Sequence, residues 1–113
     1  MKEDSQLIRE TLDGDTGAFG QLVQKYQDRL YNTLVHALRN RHEAEDVMQD
    51  AFCQAFAKLD TFKGKSAFYT WLYRIAFNVS VSRRRRKRPV LSTDQQQEAF
   101  GEEPRDETER VEE

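Results

Sequence analysis

The feature that most limits what this chain can become is a stripe of apolar residues in its middle. Ala44, Val47, Met48, Ala51, Phe52, Ala55, Phe56 and Leu59 are related by steps of three and four. That spacing lines them up along one side of an α-helix and would scatter them over both faces of a strand. A longer stripe precedes it (Phe19, Leu22, Val23, Tyr26, Leu30, Leu34, Leu38), and another follows (Phe68, Trp71, Leu72, Ile75, Ala76, Val79). A short strip of Leu7, Ile8 and Leu12 comes before all three, and the two-residue alternation of a half-buried strand occurs nowhere. Four helices, each apolar along one side, must cover one another. The expected fold class is therefore all-α, a compact bundle of four helices over residues 1–88.

Breakers and caps divide the stripes. Ser5 is the expected N-cap of a first helix ending at Asp13-Gly14-Asp15, and Thr16 that of the second. The polar run Arg39-Asn40-Arg41-His42 is expected to turn. Gly64 marks a tight turn within Asp60 to Ser66, Ser66 is the expected cap of the fourth helix, and Pro89 stops it. From Ser92 onward Gln, Glu, Asp and Thr dominate, so residues 89–113 are expected to form a flexible, disordered acidic tail or linker.

The chain has 113 residues, enough for one domain with a modest core, and a formal charge of −2. The near balance hides an asymmetry: residues 1–93 carry 16 basic and 11 acidic side chains, residues 94–113 carry 2 and 9. A basic body of this kind suits a polyanionic partner. No apolar run approaches the ~20 residues that span a bilayer, and the polar start Met1-Lys2-Glu3-Asp4 is unlike a secretory signal, so a cytoplasmic protein without membrane insertion is expected. A lone cysteine, Cys53, permits no internal disulfide, and His36 and His42 lack metal-ligand spacing, so no metal or cofactor is expected. Lys63-Gly64-Lys65-Ser66 shares letters with the end of a phosphate-binding loop but lacks its first glycine and preceding strand. No catalytic constellation is expected.

The functional signal lies between Asp60 and Arg88. A short Gly/Lys/Ser loop leads into a helix whose side opposite the core stripe carries Tyr69, Tyr73 and Phe77 at four-residue spacing, with Thr70, Arg74 and Asn78 among them; the run RRRRKR follows from Arg83. Aromatic faces stack on unpaired bases and cations hold phosphates, so this combination points to opened, single-stranded nucleic acid. On the third helix, Glu45, Asp46, Gln49, Asp50 and Cys53 face away from the core stripe. They form either a solvated exterior or a docking surface for a basic or amide-rich partner helix.

Three segments carry a family resemblance: Gly14-Asp15 with Ala18-Phe19, the run from Ala44 to Phe52, and above all the run from Phe62 to Asn78. Together they resemble the second conserved region of bacterial sigma-70 factors of the extracytoplasmic-function group, most closely the envelope-stress type. The resemblance implies a transcription initiation factor domain that binds core RNA polymerase and recognises and melts the promoter minus-ten element. By position it implies that Asp46, Gln49 and Asp50 contact the clamp helices of the polymerase's largest subunit, with Phe52 supporting that surface from below. It implies that Thr61, Phe62, Lys63, Gly64, Lys65 and Ser66 capture a flipped base of the single-stranded non-template strand, with Asn78 approaching the same base. Tyr69, Trp71, Tyr73 and Arg74 would help part and hold the strands, and Arg83, Arg84, Arg85 and Arg86 would meet phosphates. An anti-sigma factor is a further implied partner. The competing expectation keeps the fold but binds polymerase or an anti-sigma regulator without opening DNA.

Overall fold

The computed structural model describes residues 2–87, within which four α-helices and no strand are found. The expected tail over 89–113 and the helix stop at Pro89 lie outside the described residues. Helix α1 spans Asp4–Leu12, α2 Thr16–Leu38, α3 Arg41–Ala57 and α4 Phe68–Lys87, with one 3-10 turn at Leu59–Thr61 between α3 and α4. The all-α expectation holds. Helix α2 packs against α1 on one side and α3 on the other, and α3 in turn against α4.

The boundaries differ from the expected ones by a residue or two. Asp4 opens α1 after Glu3, so Ser5 lies inside the helix. At its end Gly14 adopts φ +112°, and this left-handed residue lets Asp15 N–H return to the Glu10 carbonyl and Gly14 N–H to that of Thr11, both at 3.0 Å. Asp15 then takes the N-cap position expected of Thr16. Helix α2 ends at Arg39, a non-glycine residue in the left-handed region at φ 56°. Asn40 follows directly as the cap of α3, its Oδ1 accepting from Glu43 N–H at 2.9 Å. Ser66 does not cap α4: its hydroxyl donates to the Ala67 carbonyl, and the helix starts at Phe68.

The core collects one stripe from each helix. Leu7 and Ile8, then Ala18, Phe19, Leu22, Leu30 and Leu34, meet Ala44, Val47, Ala51, Phe52 and Ala55. The small side chains of α3 let its neighbours approach closely. Leu12 is an exception to the expected strip, 52% exposed while Thr11 is buried and donates to the Leu7 carbonyl. The buried edge of α1 therefore runs through Leu7 and Thr11, and the hydroxyl is satisfied within its own helix. Phe56 is another, 46% exposed with its ring 5.1 Å from Phe19.

Helix α4 is buried around more of its circumference than a single stripe predicts. Tyr69, Thr70, Tyr73 and Ser80 are enclosed along with Phe68, Leu72, Ile75, Ala76 and Val79. The expected exposed row of Tyr69 and Tyr73 is thus corrected: each ring is only 4% exposed. The cause is α2, whose long side chains reach across to the start of α4. Tyr26 lies 5.8 Å from Phe68 and 5.6 Å from Tyr69, the Arg29 guanidinium sits 3.9 Å above the Tyr69 ring, and the Tyr69 and Thr33 hydroxyls are 3.3 Å apart. Tyr26 is in turn tied to α1 by its hydroxyl, which donates to Asp4.

Candidate nucleic-acid interface

The loop before α4 is held by its aromatic residue. The 3-10 turn closes as Thr61 donates to the Lys58 carbonyl from both its backbone N–H and its hydroxyl, at 2.8 and 2.7 Å. Phe62 then turns inward, its ring edge-on to Phe68 at 6.0 Å and tilted against Trp71 at 5.1 Å. Phe68 and Trp71 are themselves 5.8 Å apart, so three aromatics brace the loop on the first turn of α4. The expected base-capturing Phe62 and strand-parting Trp71 are both half-buried in this brace. Beyond it Lys63, Gly64 and Lys65 are exposed, Gly64 at φ +76° where a side chain would strain the backbone.

Past the brace, the solvent-facing edge of α4 runs through Arg74, Asn78, Ser82, Arg85 and Arg86. Along this edge Phe77, Asn78, Val81, Ser82, Arg85 and Arg86 line an open groove of about 420 Å³. These positions repeat at four-residue steps, so they stand one above another on a single helix face. Phe77 is half-buried and offers an apolar floor beside the Asn78 amide, with cations at the far end. The residues that line this groove are all on α4. Phe62 reaches as far as Trp71, and Asn78 lies seven residues further, about 10 Å along the helix axis.

Four arginines of the basic block, Arg83 to Arg86, lie among the described residues and divide into two pairs. Helices α3 and α4 run antiparallel here, which brings the C-terminal end of α4 against the N-terminal half of α3. Arg83 reaches Asp50 Oδ2 at 3.1 Å and Asp46 Oδ2 at 3.3 Å, and Arg84 closes on Glu43 Oε1 at 2.9 Å. Acids near a helix N-terminus and cations near a C-terminus also suit the two helix dipoles. Arg83 and Arg84, expected to meet phosphates, thus point to α3 in this structure, whereas Arg85 and Arg86 border the groove. Gln49 is exposed, and Phe52 is buried against Phe19 at 6.4 Å.

The pattern of a sigma-70 region 2 domain matches residues 22–90 of this chain. The chain belongs to the sigma-70 region 2 family. It is 45% identical over 80 residues to the RNA polymerase sigma-H factor of Pseudomonas aeruginosa, covering 71% of this chain and 42% of that relative. With the ECF RNA polymerase sigma factor SigW of Bacillus subtilis it shares 43% over 82 residues, 73% of this chain and 44% of the relative. With the ECF RNA polymerase sigma-E factor of Escherichia coli it shares 44% over 77 residues, 68% and 40% respectively. These names bear out the extracytoplasmic-function resemblance. The chain spans less than half the length of the curated relatives it matches.

Within this region 2 domain, several interface residues went unassigned from sequence. Val81 and Ser82 line the groove with Phe77 and Asn78; the four-residue steps from Phe77 to Val81 and from Asn78 to Ser82 were the available signal. Glu43 and Arg29 had none, because their partners Arg84 and Tyr69 lie 41 and 40 residues away in the chain.

Proposed function

We propose that this domain binds core RNA polymerase and directs it to promoters by recognising and opening the minus-ten element. Support comes from the family, from relatives named as RNA polymerase sigma factors, and from one observation above all: the residues that could meet a nucleic acid form a continuous edge on α4. That edge starts at the exposed Lys63-Gly64-Lys65 turn, passes Trp71 and Arg74, and ends in the groove at Asn78, Arg85 and Arg86.

Two stations share the work. The glycine turn presents backbone groups and two lysines to one unstacked base, and the Phe62–Phe68–Trp71 brace keeps that turn in place so that ordering it costs little on binding. In the groove, Phe77 and Asn78 take a neighbouring nucleotide by apolar contact and hydrogen bonding, while Arg85 and Arg86 hold its phosphates. Flipping a base costs a few kcal/mol, and selective capture of the extruded base recovers that cost, so melting is driven by binding. The polymerase docks on the exposed side of α3 through Asp46, Gln49 and Asp50, over the buried Phe52.

The test compares single-stranded non-template DNA with duplex at several salt concentrations. Preference for the single strand, weakened by Asn78→Ala and by Gly64→Val, is expected. Equal affinity for both forms at every salt concentration refutes base capture. Gln49→Arg is expected to abolish association with core polymerase while leaving single-strand binding intact; loss of neither assigns the docking surface elsewhere.

A further inference from the structure

Two charged surfaces that the proposed function uses separately are in contact here. Arg83 spans Asp46 and Asp50, and Arg84 places Nε and Nη2 on one oxygen of Glu43, at 3.2 and 2.9 Å. A guanidinium that donates to carboxylate oxygens can donate to phosphate oxygens with the same N–H groups. The acids that would receive polymerase and the cations that would receive DNA therefore occupy each other.

The contact is built to be exchanged. Asp46 and Asp50 remain 40% and 49% exposed while paired, so a partner can reach them without unfolding anything. Arg83 is seated imperfectly: its Nε is buried with no hydrogen-bond partner. Its neighbours in sequence, Ser82 on one side and Arg85 and Arg86 on the other, border the groove.

We propose that Arg83, seconded by Arg84, is a displaceable latch that couples the two faces of the domain. In the free domain the latch covers the acidic face of α3 and withholds two cations from nucleic acid. A cationic or amide-rich helix of the polymerase that takes Asp46 and Asp50 releases Arg83 to a DNA phosphate. Linkage makes the effect reciprocal, so DNA that captures Arg83 bares the acids for the partner. The inference rests on the proposed function and adds to it a coupling between polymerase docking and phosphate binding.

The experiment titrates the 113-residue chain with fluorescent single-stranded oligothymidylate, which reports backbone contacts without base choice, over a range of salt. The isosteric pair Asp46→Asn with Asp50→Asn removes the carboxylates that hold Arg83. Expected is about fivefold tighter binding, near the limit of what a solvent-exposed ion pair is worth, and a salt slope steeper by about 0.7 per phosphate gained. The gain is expected to vanish when Arg83→Gln is added. Thermal unfolding of each variant confirms that it is folded. An unchanged affinity in the Asn pair, or an equal gain in the Arg83→Gln background, overturns the latch and leaves the proposed function standing. Absence of binding by both the parent chain and the Asn pair at low salt overturns both.

Discussion

Tyr69 offers the sharpest separation between a residue that builds the domain and one that touches DNA. Its ring is 4% exposed, stacked 5.6 Å from Tyr26 with the Arg29 guanidinium 3.9 Å over its other side. Tyr69→Ala removes this ring from a closed site, and such truncations cost about 3–5 kcal/mol, a large share of the ~5–15 kcal/mol that holds a typical domain together. Tyr69→Phe keeps the ring and loses only the long 3.3 Å contact with Thr33, so about 0.5 kcal/mol or less is expected. Urea denaturation followed by circular dichroism measures both, and anisotropy with single-stranded DNA measures binding by the folded variants. Tyr69→Phe is expected to bind as the parent does. The burial argument is refuted if Tyr69→Ala unfolds within about 1 kcal/mol of the parent yet loses ~1–3 kcal/mol of single-strand affinity, the value of one base stack.

Three further outcomes follow from local geometry. Asn40→Ala removes the cap that holds Glu43 N–H and is expected to cost about 1 kcal/mol in chemical denaturation, with Asn40→Asp nearly neutral. Lys2 donates to both Glu10 oxygens, which holds that carboxyl below its ordinary value of 4.5; an NMR pH titration should show this depression and its reversal in Lys2→Met. Because the folded value is depressed, the contribution of this pair is present above the unfolded value and lost as pH falls through the folded one. Burial, and then the hydrogen bond to Asp4, push the Tyr26 hydroxyl far above its ordinary 10.0. Its share of stability is therefore complete below pH 10.0 and declines as pH rises beyond it, and a titration that follows the Tyr26 hydroxyl should find it ionising late, but earlier in Asp4→Asn.

Stripe spacing located the helices well because each of α1 to α3 buries one side and leaves the other to water. Leu22, Leu30, Leu34, Ala44, Val47 and Ala51 are enclosed as their three- and four-residue steps require. The same rule mislaid Tyr69 and Tyr73, since α4 is gripped from two directions and its second buried side is lined by tyrosine, threonine and serine. A polar atom on such a side chain is no obstacle when a partner waits, as Thr33 does for Tyr69 and as the Phe77 carbonyl does for the Ser80 hydroxyl. Residue type alone could not reveal those partners. The cap of α2 shifted by a residue for a related reason: Asp15 and Thr16 are neighbours of similar capping power, and only the backbone decides which one stands outside the helix.

The burial of the tyrosines changes what the remaining edge of α4 must do. With two of three expected aromatics committed to the core, the aromatic surface left along this edge of α4 is the exposed part of Trp71 at the loop end and Phe77 at the groove end, one on each side of Arg74. The spacing of those rings, six residues or about 9 Å along the helix, means that no single base can touch both. Discrimination at one station is then separable from discrimination at the other. A base change that harms capture at the loop should be insensitive to Phe77→Ala, and one that harms the groove insensitive to Gly64→Val. Dependence of every base position on both substitutions would show instead that the loop and the groove act as a single pocket, contrary to the separation derived from α4.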